Sequence, residues 1–115
     1  MNVLEEIIGY LADVLDVPVS SDVPAERPDA FVTVERSGGG SSLVDQSPTL
    51  TVQAWNRDRL ALETLADDVE AAILAAPQAL VGVFDAEIET RSYYPLQVGE
   101  TFPRYVLSCA LYCRR

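Results

Sequence analysis

At 115 residues the chain has the length of one domain, residues 1–115, whose single core buries roughly two-thirds of the surface the unfolded chain exposes. Its 49% hydrophobic and 23% charged residues are too apolar for disorder. The formal charge of −10 comes from 18 acidic residues against 8 arginines, with no lysine and no histidine, which disfavours phosphate-backbone binding, Schiff-base chemistry, and imidazole catalysis or metal ligation.

Residues 3 to 16 set Val3, Leu4, Ile7, Ile8, Leu11, Val14 and Leu15 at helical spacing against Glu5, Glu6, Asp13 and Asp16. This predicts an amphipathic helix stopped by Pro18, whose apolar stripe contributes on the order of 10 kcal/mol gross when packed on a sheet. The opening Met1-Asn2-Val3-Leu4-Glu5-Glu6 lacks the basic region of a secretory signal, so synthesis and folding in a cytoplasm are expected. Val17 to Val23 reads as an extended link or short edge strand ahead of Pro24 and Pro28.

Phe31 to Arg36 predicts a strand with Val32 and Val34 on one face and Phe31 and Thr33 on the other. Ser37 to Ser47 holds three consecutive glycines and four serines and predicts a mobile loop, longer than the 2 to 5 residues usual in a hairpin and closed by Pro48. Thr49 to Trp55 alternates Leu50, Val52 and Ala54 against Thr51, Gln53 and Trp55. Asn56 or Asp58 then caps a helix with Leu62, Leu65, Val69, Ala72, Ile73 and Ala76 on one stripe, ending at Pro77. Neither Ala71–Pro77 nor Ala79–Phe84 approaches the ~20 apolar residues of a membrane span.

Residues 83 to 94 alternate Phe84, Ala86, Ile88, Thr90, Ser92 and Tyr94 with Asp85, Glu87, Glu89, Arg91 and Tyr93, a strand with one wet, acidic face. Residues 95 to 103 read as a loop and Arg104 to Arg114 as the last strand. Cys109 and Cys113 lie four residues apart on that strand, roughly 13 Å, beyond the ~7 Å a disulfide tolerates, so both read as reduced core residues beside Leu107 and Leu111. The order α-β-β-α-β-β predicts an α+β fold: a single small domain with a mixed or antiparallel sheet packed by two helices.

The Gly38-Gly39-Gly40 run is no phosphate loop, because no Gly-Lys-Ser/Thr follows and a strand stands where the helix would begin. Asp85, Glu87 and Glu89 alternate along a strand instead of wrapping an ion, which points to a solvated or partner-facing surface. No carboxylate is placed beside a second polarising group, and no catalytic, cofactor-binding or metal-ligating residue is assigned.

Pro24 to Trp55 (Pro-Ala-Glu-Arg-Pro-Asp-Ala-Phe-Val-Thr-Val-Glu-Arg-Ser-Gly-Gly-Gly, then Pro-Thr-Leu-Thr-Val-Gln-Ala-Trp), the helix after it and the closing Pro103-Arg104-Tyr105 strand resemble the tail terminator, or tail-completion, proteins of long-tailed bacteriophages, most of all those of actinobacterial phages and prophages. The resemblance spans nearly the whole chain in length and element order, and its motifs are structural. It implies a non-enzymatic virion protein: a homo-oligomeric ring, hexameric in that family, that caps the tail tube protein, stops its polymerisation and meets the connector or neck protein of the head. DNA passes through without sequence-specific binding, no membrane and no cofactor are involved, and the protein resides at the head-proximal end of the virion tail after assembly in the host cytoplasm. An acidic chain that repels DNA suits such a lumen.

Loop position and interface chemistry select Ser37, Gly38, Gly39, Gly40, Ser41, Ser42, Trp55, Tyr93 and Tyr94 as candidate interface residues. Packing within the sheet is an equal account of the three aromatics. A head-closure or neck protein, and a small host ligand-binding or regulatory α+β domain, stand as alternative readings.

Overall fold

The computed structural model describes residues 2–95 and 102–115. Asn2 starts the first helix, α1 (Val3–Val14), by accepting the Glu5 N–H on its side-chain oxygen at 3.1 Å. Val3, Ile7 and Leu11 are its buried stripe. The helix stops two residues short of the sequence expectation. Leu15 leaves the helical region (ψ 121°) and turns into the core with its N–H on the Leu11 carbonyl, and Pro18, which disfavours the α conformation at Val17, keeps the helix from resuming.

Five strands form one mixed sheet in the order β1-β2-β3-β5-β4: β1 (Val19–Ser20), β2 (Ala30–Ser41), β3 (Asp45–Asn56), β4 (Val83–Tyr94) and β5 (Arg104–Arg114). The second helix, α2 (Arg59–Ala79), lies between β3 and β4 in sequence, so the order is α-β-β-β-α-β-β. β1 takes the edge-strand option for the segment after Pro18 and pairs parallel to β2, with Val19 opposite Val32; every other pairing is antiparallel. Both helices pack on one face, α1 against β1 and β2, α2 against β3, β5 and β4. Val32, Val34, Leu50, Val52, Leu107 and Ile73 are wholly buried between the layers. The α+β class, the single small domain and the two-helix packing are as the sequence predicts.

The mobile loop expected over Ser37–Ser47 is instead paired strand. β2 continues through Gly38, Gly39 and Gly40 to Ser41, and only Ser42, Leu43 and Val44 form the turn before β3. The Ser42 N–H donates to the Asp45 carbonyl at 2.8 Å, and the Asp45 N–H returns to Ser42 Oγ at 3.1 Å. Glycine and serine lower strand propensity without forbidding extended backbone, and the partner strand supplies the missing preference. A bulge at Ser37, between Arg36 and Gly38, resets the register. Pro48 closes no loop: it is buried within β3 opposite Gly39, and pairing with β5 is made at Gln46 and Thr49 on either side of it.

Asp58 caps α2, accepting from the Leu60 and Ala61 N–H groups at 3.4 Å each. Pro77 does not end this helix. It sits inside the last turn, where a missing N–H removes one bond, and the turn closes with the Leu80 N–H on Ala76 O. In β4 two register shifts, at Phe84 and Glu89, break the simple alternation. They put Val83, Ala86, Ile88, Arg91 and Tyr93 on the helix face and Asp85, Glu87, Thr90, Ser92 and Tyr94 opposite. Arg91 and Tyr93 therefore leave the acidic face to which strict alternation assigns them. Within the expected loop 95–103, residues 96–101 lie outside the described residues.

Candidate interaction surface

The face of the sheet turned away from the helices carries Thr33, Thr51, Gln53, Val106, Ser108 and Ala110 across its centre, none of them large apolar residues except Val106. Among the described residues no helix covers it. Its two ends differ in chemistry.

At the end where β2 starts and β3 stops, Phe31 stacks on Trp55 (centroids 5.3 Å apart, planes 13° apart) and Phe102 meets Phe31 edge-on at 5.7 Å. This is a second core, separate from the one under the helices. Three guanidinium groups lie over its rings: Arg57 at 4.7 Å from Phe102, Arg104 at 4.9 Å from Trp55, and Arg27 at 5.7 Å from Trp55. Arg104 also stands 4.9 Å from Tyr94, and Arg57 pairs with Asp29 at 2.9 Å. Aromatic rings attract cations through their negative faces. In a chain of charge −10 this end concentrates positive charge beside flat apolar rings, the composition found at the centres of protein interfaces.

On the helix side of the same end a polar network closes the sheet. The Tyr105 hydroxyl donates to Glu63, Arg59 pairs with Glu63 one helical turn away, and Arg91 reaches Asp67 at 2.8 Å and Glu63 at 3.4 Å. Glu63, Asp67 and Glu70 form one stripe of α2 and converge on a guanidinium, with Glu70 at 3.7 Å. The Tyr105 and Arg59 hydrogen bonds hold the Glu63 carboxyl below the usual carboxylate range. Tyr93 leans on Tyr105 (5.4 Å) with Arg59 over its ring at 4.1 Å.

At the far end, the β2–β3 turn presents Leu43, 91% exposed, and Val44, 68% exposed. Arg115 braces it, its Nη1 donating to Ser42 O at 3.0 Å and its N–H to Val44 O at 2.9 Å. Arg36 donates to Gln46 Oε1 at 3.0 Å nearby. Tyr112 on β5 donates to the Asp45 carboxylate at 2.6 Å, which pushes the phenol above its usual range.

No family model and no curated protein matches this chain.

The predicted interface residues do not form one site. Ser37 to Ser41 are exposed along the distal arm of β2 and Ser42 in the turn that follows, whereas Trp55, Tyr93 and Tyr94 sit at the opposite end of the sheet. Trp55 is a core residue at 7% exposure, which answers its alternative account as sheet packing; Tyr93 (38%) and Tyr94 (41%) are half open, on opposite faces. Arg104 links Trp55 to Tyr94. Sequence reasoning missed Arg27, Arg57, Arg104 and Phe102, whose signal is arginine next to aromatics at strand ends, and it missed the apolar pair Leu43 and Val44 inside an otherwise polar stretch.

The described residues contain no cluster of three or more carboxylates or cysteines fit to hold a metal, and no helix among them is long and apolar enough to cross a membrane. Two open grooves flank α1. One, about 540 Å³, is acidic, with Glu5, Glu6 and Asp13 beside Tyr10. The other, about 470 Å³, lies between the end of α1 and the first half of α2 and is lined by Val14, Leu15, Val17, Ala61 and Leu65. Cys109 and Cys113 are fully enclosed, and burial pushes the Cys109 thiol up to about 12, removing thiolate chemistry.

Proposed function

We propose that this chain is a non-enzymatic ring subunit that caps a phage tail tube, ends its polymerisation and joins the tail to the head. The observation that carries this reading is the one-sided sheet, whose face away from the helices runs from an arginine-aromatic cluster at one end to an apolar hairpin tip at the other. A subunit whose work is contact with copies of itself, with the tube below and with the connector above needs several chemically distinct surfaces and no reaction centre. The open face carries Asp85 and Glu87 at its β4 margin, and with a net charge of −10 the ring repels the DNA that slides through it. The protein then resides at the head-proximal end of the virion tail.

The test is electron microscopy of particles assembled without this chain. Overlong or variable tails without heads support termination. Normal tails beside unjoined heads move the protein to the neck, and normal virions overturn both roles.

A further inference from the structure

The two ends of the molecule complement each other. The β2–β3 turn offers two large apolar side chains to solvent, Leu43 and Val44, on a tip flanked by Arg36, Arg114 and Arg115. The apolar groove between α1 and α2 lies by the other end of the sheet, since Ala30 at the start of β2 and Asn56 at the end of β3 line it. Twelve-residue strands separate the two features by roughly 40 Å, in a molecule whose longest extent is 46 Å. The tip therefore cannot fill its own groove.

The groove has an unfilled apolar wall and an acidic rim. Val14 is 52% exposed in it, and Asp16 and Asp68 stand exposed at its edge with no ion pair among the described residues. At the tip Asp45 accepts from the Tyr112 hydroxyl and keeps its charge, and Arg36, Arg114 and Arg115 outnumber it. Apolar knob meets apolar slot, and cationic flank meets anionic rim.

We propose that the Leu43–Val44 tip of one copy seats in the α1–α2 groove of the next, making a head-to-tail contact between copies of this chain. Such a contact is heterologous: each subunit uses one surface to give and another to receive, so repetition closes a ring or extends a filament. The inference deepens the ring reading above and rests on it for the closure of that ring, but the contact itself is tested independently. Each single contact is small, so dimers are weak and the closed assembly gains from every tip being seated at once.

The experiment mixes two single-cysteine variants, Leu43→Cys and Ala61→Cys, and adds a short thiol-specific cross-linker. The native thiols are buried, so the unmodified chain serves as the unreactive control. Covalent dimers are expected from the mixture and from neither variant alone. Cross-linking of Leu43→Cys with itself reveals a two-fold contact and overturns the proposal, as does a mixture that yields no product.

Sedimentation of the Leu43→Glu/Val44→Glu double variant is the second arm. Both positions are exposed, so its melting temperature is expected to stay that of the wild type, while self-association weakens at least about tenfold. A ring of about six that forms equally well from this variant overturns the tip-and-groove contact and leaves the tail reading intact. Normal virions made without the chain overturn the tail reading and leave this contact standing.

Discussion

Gly39 faces Pro48 across the β2–β3 ladder with φ at +100°, and a Cβ built on Gly39 would lie 2.0 Å from the Ser47 carbonyl oxygen and 2.8 Å from Pro48 Cα. The central glycine of the triplet is thus a register point of the sheet, while Gly38 meets only the Thr49 Cβ at 4.0 Å and Gly40 meets nothing within 4 Å. Gly39→Ala is expected to cost about 2 kcal/mol or more, since both the backbone region and the space are closed to a methyl group. Gly40→Ala is expected to be neutral or to stabilise by about 0.5 kcal/mol through the unfolded chain. Urea titrations of the two single variants check this order; equal effects at Gly39 and Gly40 refute it.

The same pair explains what the sequence hid. Gly-Gly-Gly and a following proline carry every local mark of a loop, and only the pairing of β2 with β3, and of β3 with β5, makes them strand. The helical stripes of α1 and α2 were legible because period and composition agree there, and so was the inward set Leu50, Val52, Ala54. The bulges at Phe84 and Glu89 leave no compositional trace, which is why strict alternation places Arg91 on the wet face. The cluster of Phe31, Trp55 and Phe102 was half legible: parity separated Phe31 from Val32 and Val34, and Trp55 from Leu50, Val52 and Ala54, but Phe102 comes from a distant part of the chain and no local pattern announces it.

Arg91 is 21% exposed and faces three carboxylates of α2, so its removal leaves like charges crowded on one helix stripe. Arg91→Met is expected to destabilise by about 1–2 kcal/mol, with most of the loss recovered in high salt. A double-mutant cycle with Asp67, whose side chain is 68% exposed, is expected to return less than about 1 kcal/mol of coupling. Thermal melts in low and high salt measure both; a loss insensitive to salt would assign Arg91 to packing alone.

The Glu63 carboxyl is held below its ordinary range chiefly by the Tyr105 hydroxyl and then by Arg59. A depressed folded-state value means that the stabilisation is present above the unfolded value near pH ~4.3 and is lost as pH falls through the folded one. Wild type is therefore expected to exceed Glu63→Gln in melting temperature at pH 6, with the gap closing as the pH is lowered through 4 toward 3. A gap that stays constant with pH shows that Glu63 acts as a neutral acceptor only.

Cys109 and Cys113 sit on the inward face of β5 with Leu107 and Leu111, and burial raises both thiols. A disulfide-exchange reagent is expected to leave both untouched in the native protein and to titrate two thiols in denaturant. Reaction in native buffer at the rate of a free thiol would place β5 outside the stable core.

Trp55 is the sole tryptophan, 7% exposed, stacked on Phe31 and overlain by Arg104 and Arg27, so its emission reports on this one cluster. Two forces hold it, and their sizes separate them. Losing the Phe31 ring empties a site that is 1% exposed, and Phe31→Ala is expected to cost about 3–4 kcal/mol. A cation over a ring at a partly open site contributes about 0.5–1 kcal/mol, so Arg27→Met is expected to shift the emission while leaving stability nearly unchanged. Chemical unfolding followed at Trp55 gives both values from one signal. If Arg27→Met costs as much as Phe31→Ala, the guanidinium groups are structural pins of the second core. If the ring dominates, Arg27 rests over the aromatics without holding the second core together.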